Sequence, residues 1–264
     1  MRRHLLPTPH GHIHLRDWGE GGTPLMLLHW TPLSSRIYMQ AAPYLARTRR
    51  LLAPDLLGYG QSDPRPADWS LEAWADSLLP LLDQFGIPQT DLLGGHLGAS
   101  IATEFALRHP ARVRRLILDG VPLLTPDLRA AFAALATTPR PGPDSATLAW
   151  DRTIGLLTEY IPGFTVTPAT LDMVWATMRD YLATDFVTSG PLAARHDLGQ
   201  RLPLLIHPIL LLGAEQDSLA GTFAPAHALL PHAERHFFPG HHPLHMPDRA
   251  ADYANIINSF LERP

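Results

Sequence analysis

Two rhythms of hydrophobic and polar positions divide the chain. Between residues 13 and 119, short apolar runs alternate with longer stretches whose apolar residues recur at helical spacing. Residues 13–18 alternate as a strand, and the glycines of 19–22 turn the chain. Residues 24–29 are apolar without alternation, as expected of a strand covered on both faces. Ser34 or Ser35 can cap a helix expected to reach about residue 45. A strand at 50–53 follows, then a loop at 54–66 rich in Gly, Pro and Asp. Ser70 precedes an amphipathic helix with Leu71, Trp74, Leu78, Leu81, Leu82 and Phe85 on one face, ended by Gly86. A strand at 90–94, a helix at 99–109 and a strand at 113–119 complete this part.

The strand rhythm then stops. Residues 122–204 carry helical stretches near 128–136, 148–158, 169–182 and 192–202, separated by Pro/Gly segments at 139–143 and 161–168. Strands return at 209–213 and 234–238, and 248–261 reads as a closing helix. Alternating strands and helices specify a doubly wound α/β fold with a mostly parallel sheet. Its core comprises residues 1–121 and 205–264. The helical segment 122–204 is an insertion expected to cap the strand ends.

Composition narrows the chemistry. The chain has 264 residues, 45% of them hydrophobic, enough to bury a large core. A net charge of −4 and the lack of a long basic run argue against a nucleic-acid partner. There is no cysteine, which excludes disulfides and thiolate nucleophiles, and all 21 basic residues are Arg, which excludes a Lys Schiff base. The N-terminal residues lack the apolar run of a signal peptide, and no stretch approaches a bilayer span of about 20 residues. A cytoplasmic protein with no membrane partner is expected, and a homodimer is compatible with the sequence.

The chemistry centres on Gly94-Gly95-His96-Leu97-Gly98, where a strand turns at once into a helix. Such a turn holds its central side chain on a strained backbone, and flanking glycines relieve the crowding. His tolerates positive φ better than most residues, and the helix N-terminus beneath it offers free N–H groups.

Together with other segments this motif resembles the nucleophile elbow of capped α/β-hydrolases. The matching pieces are Leu27-Leu28-His29, residues 55–62 (Asp-Leu-Leu-Gly-Tyr-Gly-Gln-Ser), the elbow, Gly213-Ala214-Glu215-Gln216-Asp217 and Pro239-Gly240-His241-His242-Pro243, in the family's order and spacing. The resemblance implies that His96 stands where the family carries Ser, Cys or Asp. It assigns the general base to His241, with His242 as alternate, and the acid to Asp217, with Asp119 as alternate. The backbone N–H groups of Leu97 and Thr31 would form the oxyanion hole, although Trp30 replaces a usual Gly. Ser34, Ser35 and Ser62 are alternative nucleophiles, more simply read as a helix cap or loop residues.

These residues imply hydrolysis of a small carboxylic ester or related acyl compound, with no cofactor. His96 would form an acyl-imidazole or assist, since one nitrogen of a neutral imidazole is a free lone pair. A cofactor-independent lyase or isomerase using His96 and His241 as an acid/base pair is one alternative. A non-catalytic small-molecule binder is another. A metal held by His29, His96, His241, His242 and His245 matches no known zinc spacing. The insertion supplies Trp150, Tyr160, Phe164, Met173, Trp175, Met178, Tyr181 and Phe186, some of them suited to an apolar or aromatic substrate. Arg195 and His196 precede its return to the core, where either could meet a polar substrate group.

Overall fold

Strands β1 (Arg2–Thr8), β2 (Gly11–Trp18), β3 (Leu25–Leu28), β4 (Leu51–Pro54), β5 (Thr90–Gly95), β6 (Val113–Asp119), β7 (Ile209–Ala214) and β8 (Glu234–Phe238) form one sheet. The computed structural model describes residues 1–264 except 32, 67, 135–145, 161–162, 169, 184–185, 246–247 and 264. The sheet order is β1-β2-β4-β3-β5-β6-β7-β8, antiparallel at β1–β2–β4 and parallel from β4 onward. From β3 the chain moves one way to β4 and then back past β3 to β5. The crevice beyond the strand ends at such a reversal is where open α/β sheets place ligands.

Both faces of the central sheet are covered, which is why β3, β4 and β7 are apolar along their length, whereas the edge strand β8 (Glu-Arg-His-Phe-Phe) is only partly buried. On one face lie α2 (Leu71–Asp76), α3 (Leu79–Gln84), α4 (Leu97–Arg108) and α10 (Phe223–Leu229), around a core that includes Trp74, Leu92, Phe105 and Leu211. On the other, α1 (Ala42–Leu45) and α11 (Ala250–Leu261) close over Leu27, Leu93, Ile117 and Phe260. The expected doubly wound α/β fold is therefore the one observed.

Between β6 and β7 run α5 (Pro126–Ala134), α6 (Ala146–Tyr160), α7 (Leu171–Ala183), α8 (Phe186–Arg195) and α9 (Leu198–Arg201). Helix α5 packs on α8, and α6 on α7. Ser34 in the core donates a hydrogen bond to the buried Asp180 of α7, tying the insertion to the loop after β3. No described helix is long and apolar enough to cross a membrane.

Several details depart from the sequence reading. Residues 2–8 form an edge strand paired with β2; half-buried His4, Leu6 and Thr8 alternate with exposed residues, but only Leu6 of these is apolar, so the sequence shows little of the rhythm. The helix expected from residue 34 to 45 is a 3-10 segment (Ser35–Met39) followed by the short α1, with Pro43 near its start. The helix expected at 71–85 divides into α2 and α3 around Pro80, which lacks the N–H a continuous helix requires. Helix α10 lay outside the expectation altogether.

Candidate active site

Four loops at the C-terminal ends of parallel strands converge at the reversal point. They carry Trp30 after β3, His96 after β5, Asp217 after β7 and His242 after β8, while Asp119 ends β6. His96 has φ 49° and ψ −117°, and no other described non-glycine residue has positive φ. Its N–H donates to the carbonyl of Asp119 at 2.9 Å. The flanking glycines make this turn possible. A Cβ on Gly94 would overlap the Gly98 carbonyl, and one on Gly98 would lie 2.9 Å from the His29 carbonyl.

The imidazole at the apex is tied to an acid. His96 Nε2 lies 3.0 Å from Asp217 Oδ2, and Leu219 N–H donates to Asp217 Oδ1 at 2.7 Å. Burial alone would raise the Asp217 carboxyl. The hydrogen bond from His96, its charge and the Leu219 N–H outweigh that and hold it below the usual carboxylate range. With an ionised Asp217, Nε2 carries the proton and donates it. Nδ1 then presents a lone pair and has no hydrogen-bond partner among the described residues.

A carboxyl depressed in the folded state stabilises the fold at pH values above its unfolded pKa, and that contribution is lost as pH falls through the folded value. Asp217→Ala should therefore be less stable than the parent at neutral pH. The gap should close once the pH drops well below about 3.9, the reference value of an unfolded Asp. Urea denaturation of both proteins at several pH values measures this, and a gap that widens in acid would contradict the pairing.

The second histidine is used differently. His242 Nε2 lies 3.0 Å from Asp119 Oδ1, and its Nδ1 accepts the Leu244 N–H at 3.2 Å, so both ring nitrogens are engaged. Asp119 is fully buried and also accepts from Tyr253 Oη at 2.8 Å. Burial, then the charge of Asp119, pushes the Tyr253 hydroxyl well above its ordinary range, so it stays protonated and donates. Tyr253→Phe should cost roughly 1.5–3 kcal/mol, the worth of a hydrogen bond to a buried charge. Thermal or urea unfolding would show it, and an unchanged stability would remove Tyr253 from the network.

Trp30 separates the two pairs. Its indole stacks on His96, with centroids 3.9 Å apart and planes 11° from parallel, and meets His242 edge-on at 4.9 Å. Two glycines make room for the stacked rings, Gly95 for the indole and Gly120 for the imidazole. A Cβ on Gly95 would overlap the indole Nε1, and one on Gly120 would sit 2.6 Å from His96 Cδ2.

The residues expected from the sequence therefore come together in a different pairing. Asp217 meets His96 rather than His241, and the alternates Asp119 and His242 bond each other. No hydrogen bond joins the His241 ring to His96 or Asp217 among the described residues; its carbonyl accepts from Arg249. The Trp30 indole lies against both His96 and His242, between the two observed pairs. Thr31 lies half-buried in the turn where Leu33 N–H donates to the Trp30 carbonyl, and Leu97 begins α4, among the N–H groups a helix leaves unmet.

The alternative nucleophiles are engaged elsewhere. Ser34 bonds Asp180, Ser35 bonds Asp55, and the Ser62 hydroxyl donates to the Asp55 carbonyl at 2.5 Å. Among the described residues, His29, His96, His241 and His242 are not gathered as a metal site. His29 uses both ring nitrogens, with Trp30 O at 2.9 Å and Leu56 N–H at 3.0 Å, while burial lowers its pKa. The side chain of His245 lies outside the described residues, as do those of Tyr160, Tyr181 and Phe186. Within the insertion Trp150 meets Trp175 edge-on at 5.9 Å, and Trp175 and Met173 are exposed.

The reading from sequence missed Gly95, Gly120, Tyr38 and Tyr253. Their signals were the Gly-Gly doublet before His96 and the glycine directly after Asp119. The two tyrosines left none, because both look like ordinary core aromatics. Tyr38 is fully buried, and its hydroxyl donates to the Leu28 carbonyl at 2.8 Å.

Comparison with known proteins agrees with this fold. A family model described as alpha/beta hydrolase fold matches residues 23–141. A 2-hydroxymuconate semialdehyde hydrolase of Pseudomonas sp. (strain CF600) is 42% identical over 111 residues, covering 40% of this chain and 38% of that protein. The match thus spans about two-fifths of that relative's length. A hydrolase from Pseudomonas aeruginosa PA01 superposes with a TM-score of 0.77 at 23% identity, covering 99% of this chain and 98% of the other. The enol-lactonase from Burkholderia xenovorans LB400 does so with 0.75 at 19% identity, covering 96% and 97%. These likenesses establish the α/β-hydrolase fold.

Proposed function

We propose that this protein is a hydrolase acting on a small carboxylic ester or related acyl compound, with His96 and Asp217 as its working dyad. The observation that carries the reading is His96 itself. It sits at a strained apex, Nε2 is bonded to a buried carboxylate at 3.0 Å, and Nδ1 is left without a partner. Strain of this kind persists where the surroundings over-determine it, often at functional sites. The hydrolase names of the relative and the structural neighbours support the same class.

Asp217 fixes the tautomer, so that Nδ1 is the lone pair offered to substrate. In the covalent form of the mechanism, Nδ1 attacks the acyl carbon. The carbonyl π electrons move to oxygen, where the N–H groups of Leu97 and Thr31 would receive the charge. Collapse expels the alkoxide, which takes a proton and leaves as the alcohol. Asp217 meanwhile stabilises the positive charge on the acylated ring through Nε2–H. Water then adds to the acyl-imidazole, and its loss of a proton returns the acid and free His96. In the non-covalent form, Nδ1 takes a proton from the attacking water, and the leaving group regains it.

The pairing of His242 with Asp119 and of its Nδ1 with Leu244 supports reading that residue as a positioning one. Segment 122–204 is read as the cap that encloses the substrate, and its aromatic residues favour an apolar or aromatic acyl group. The test uses short activated esters. Turnover should be accompanied, after rapid acid quench, by an acyl adduct on the peptide containing residue 96. Turnover without an adduct selects the water-activating form. No turnover of any ester, with no adduct, would overturn the reading.

A further inference from the structure

Away from the dyad, three side chains with metal-ligating atoms gather where α2, α4 and the end of the insertion meet. Glu104 of α4 is fully buried, and Arg201 of α9 grips both its oxygens at 2.7 and 2.8 Å. His196, between α8 and α9, has only 9% of its side chain exposed, and its Nε2 is 3.2 Å from Glu104 Oε1. That contact lacks the alignment of a hydrogen bond, so a buried ring nitrogen is left without one. Glu72 of α2, half-buried, completes the group. One ligand atom from each of the three lies within 4.8 Å of the others. A groove of about 400 Å³, with Asp68, Ser70, Glu72, Arg195 and His196 among its walls, connects the group to solvent.

The donor set suits a cation. Arg201 and Arg108 both act on the two carboxylates, so it is the ligand atoms rather than a net charge that favour a metal. One imidazole nitrogen with two carboxylate oxygens is the chemistry of zinc or a similar transition metal rather than of magnesium. Three protein ligands leave a fourth position of a tetrahedral site for water. Tetrahedral coordination at about 2.1 Å needs ligand atoms roughly 3.4 Å apart. Glu72, half-buried beside the groove, is the ligand with room to adjust to that spacing. Arg201, bonded to both Glu104 oxygens, would act as an outer partner that orients a ligand carboxylate.

We infer that Glu72, Glu104 and His196 form a binding site for a divalent transition-metal ion, zinc foremost, which pins the return of the insertion to α2 and α4. The site is separate from the His96–Asp217 dyad and does not depend on the proposed reaction. Equilibrium dialysis of the chelator-treated full chain against zinc chloride tests it, with thermal melts to establish that each variant is folded. One saturable site is expected in the parent. Glu72→Gln and His196→Gln should each weaken it about 10- to 100-fold. His232→Gln, which alters an exposed histidine on a different loop, should leave it unchanged. Zinc should also slow backbone hydrogen exchange across residues 196–201. Equal affinity in all the variants, or the absence of saturable binding by the parent, would overturn the inference.

Discussion

Replacing His96 with alanine is expected to reduce ester turnover by about 10³-fold or more, since a positioned base contributes roughly 10²–10⁴ and a nucleophile still more. The fold should tolerate the change only in part. Alanine at φ 49° is strained, and the substitution also removes the stack on Trp30 and the bond to Asp217. Activity must therefore be measured alongside stability, and His96→Asn is the companion variant because Asn accepts positive φ more readily than Ala. Both should fold and both should be inactive. His96→Ser is informative for another reason. His242 is bonded at both nitrogens and so is not free to activate a serine at the apex, which should restore little activity. Parent-level turnover by His96→Asn or His96→Ala would remove His96 from the mechanism. Fast turnover by His96→Ser would show that His242 can leave Asp119.

The second large effect is expected at Gly95. An added methyl there overlaps the Trp30 indole, which is fully buried and cannot retreat without displacing the His96 ring stacked on it. Gly95→Ala should cost about 3 kcal/mol, the upper part of the range for overpacking a filled core, and should depress activity with it. Trp30→Ala should cost about 3–5 kcal/mol through the cavity it leaves. Combined, the two should cost less than their sum by roughly 1–3 kcal/mol, because the methyl enters the space the indole vacates. Urea unfolding of the four proteins completes this cycle, and strict additivity would mean that the two sites do not share that space. Trp30→Ala also releases the wall between His96 and His242. Loss of activity in that variant would assign the indole a part in holding the imidazole.

Much of this architecture was legible in the residues. The apolar runs at β3, β5, β6 and β7 are continuous because each strand is covered on both faces, and continuous burial leaves a continuous apolar run. The apex announced itself because a strand-to-helix turn needs glycine at 94 and 98 whatever the rest of the chain does. By contrast, β1 and α10 left little trace. One pairs mainly through its backbone, and the other is short and carries Pro225. The breaks at Pro43 and Pro80 were visible as residues, yet the apolar spacing ran on through them.

What the sequence by itself determined is the doubly wound sheet, the helical insertion between β6 and β7, and a histidine held at the apex above the sheet. All three follow from local periodicity and turn sterics, which act over a few residues. Which imidazole meets which carboxylate was decided only by the tertiary structure. His96 and Asp217, like Asp119 and His242, come from loops far apart in the chain, whereas motif position alone would join a histidine after β8 to the acid after the neighbouring β7. The buried bulk of Trp30, admitted by the absent side chain of Gly95, lies against both histidines; His96 turns to Asp217 and His242 to Asp119. Shared volume is a property of assembled side chains, and no spacing along the chain encodes it.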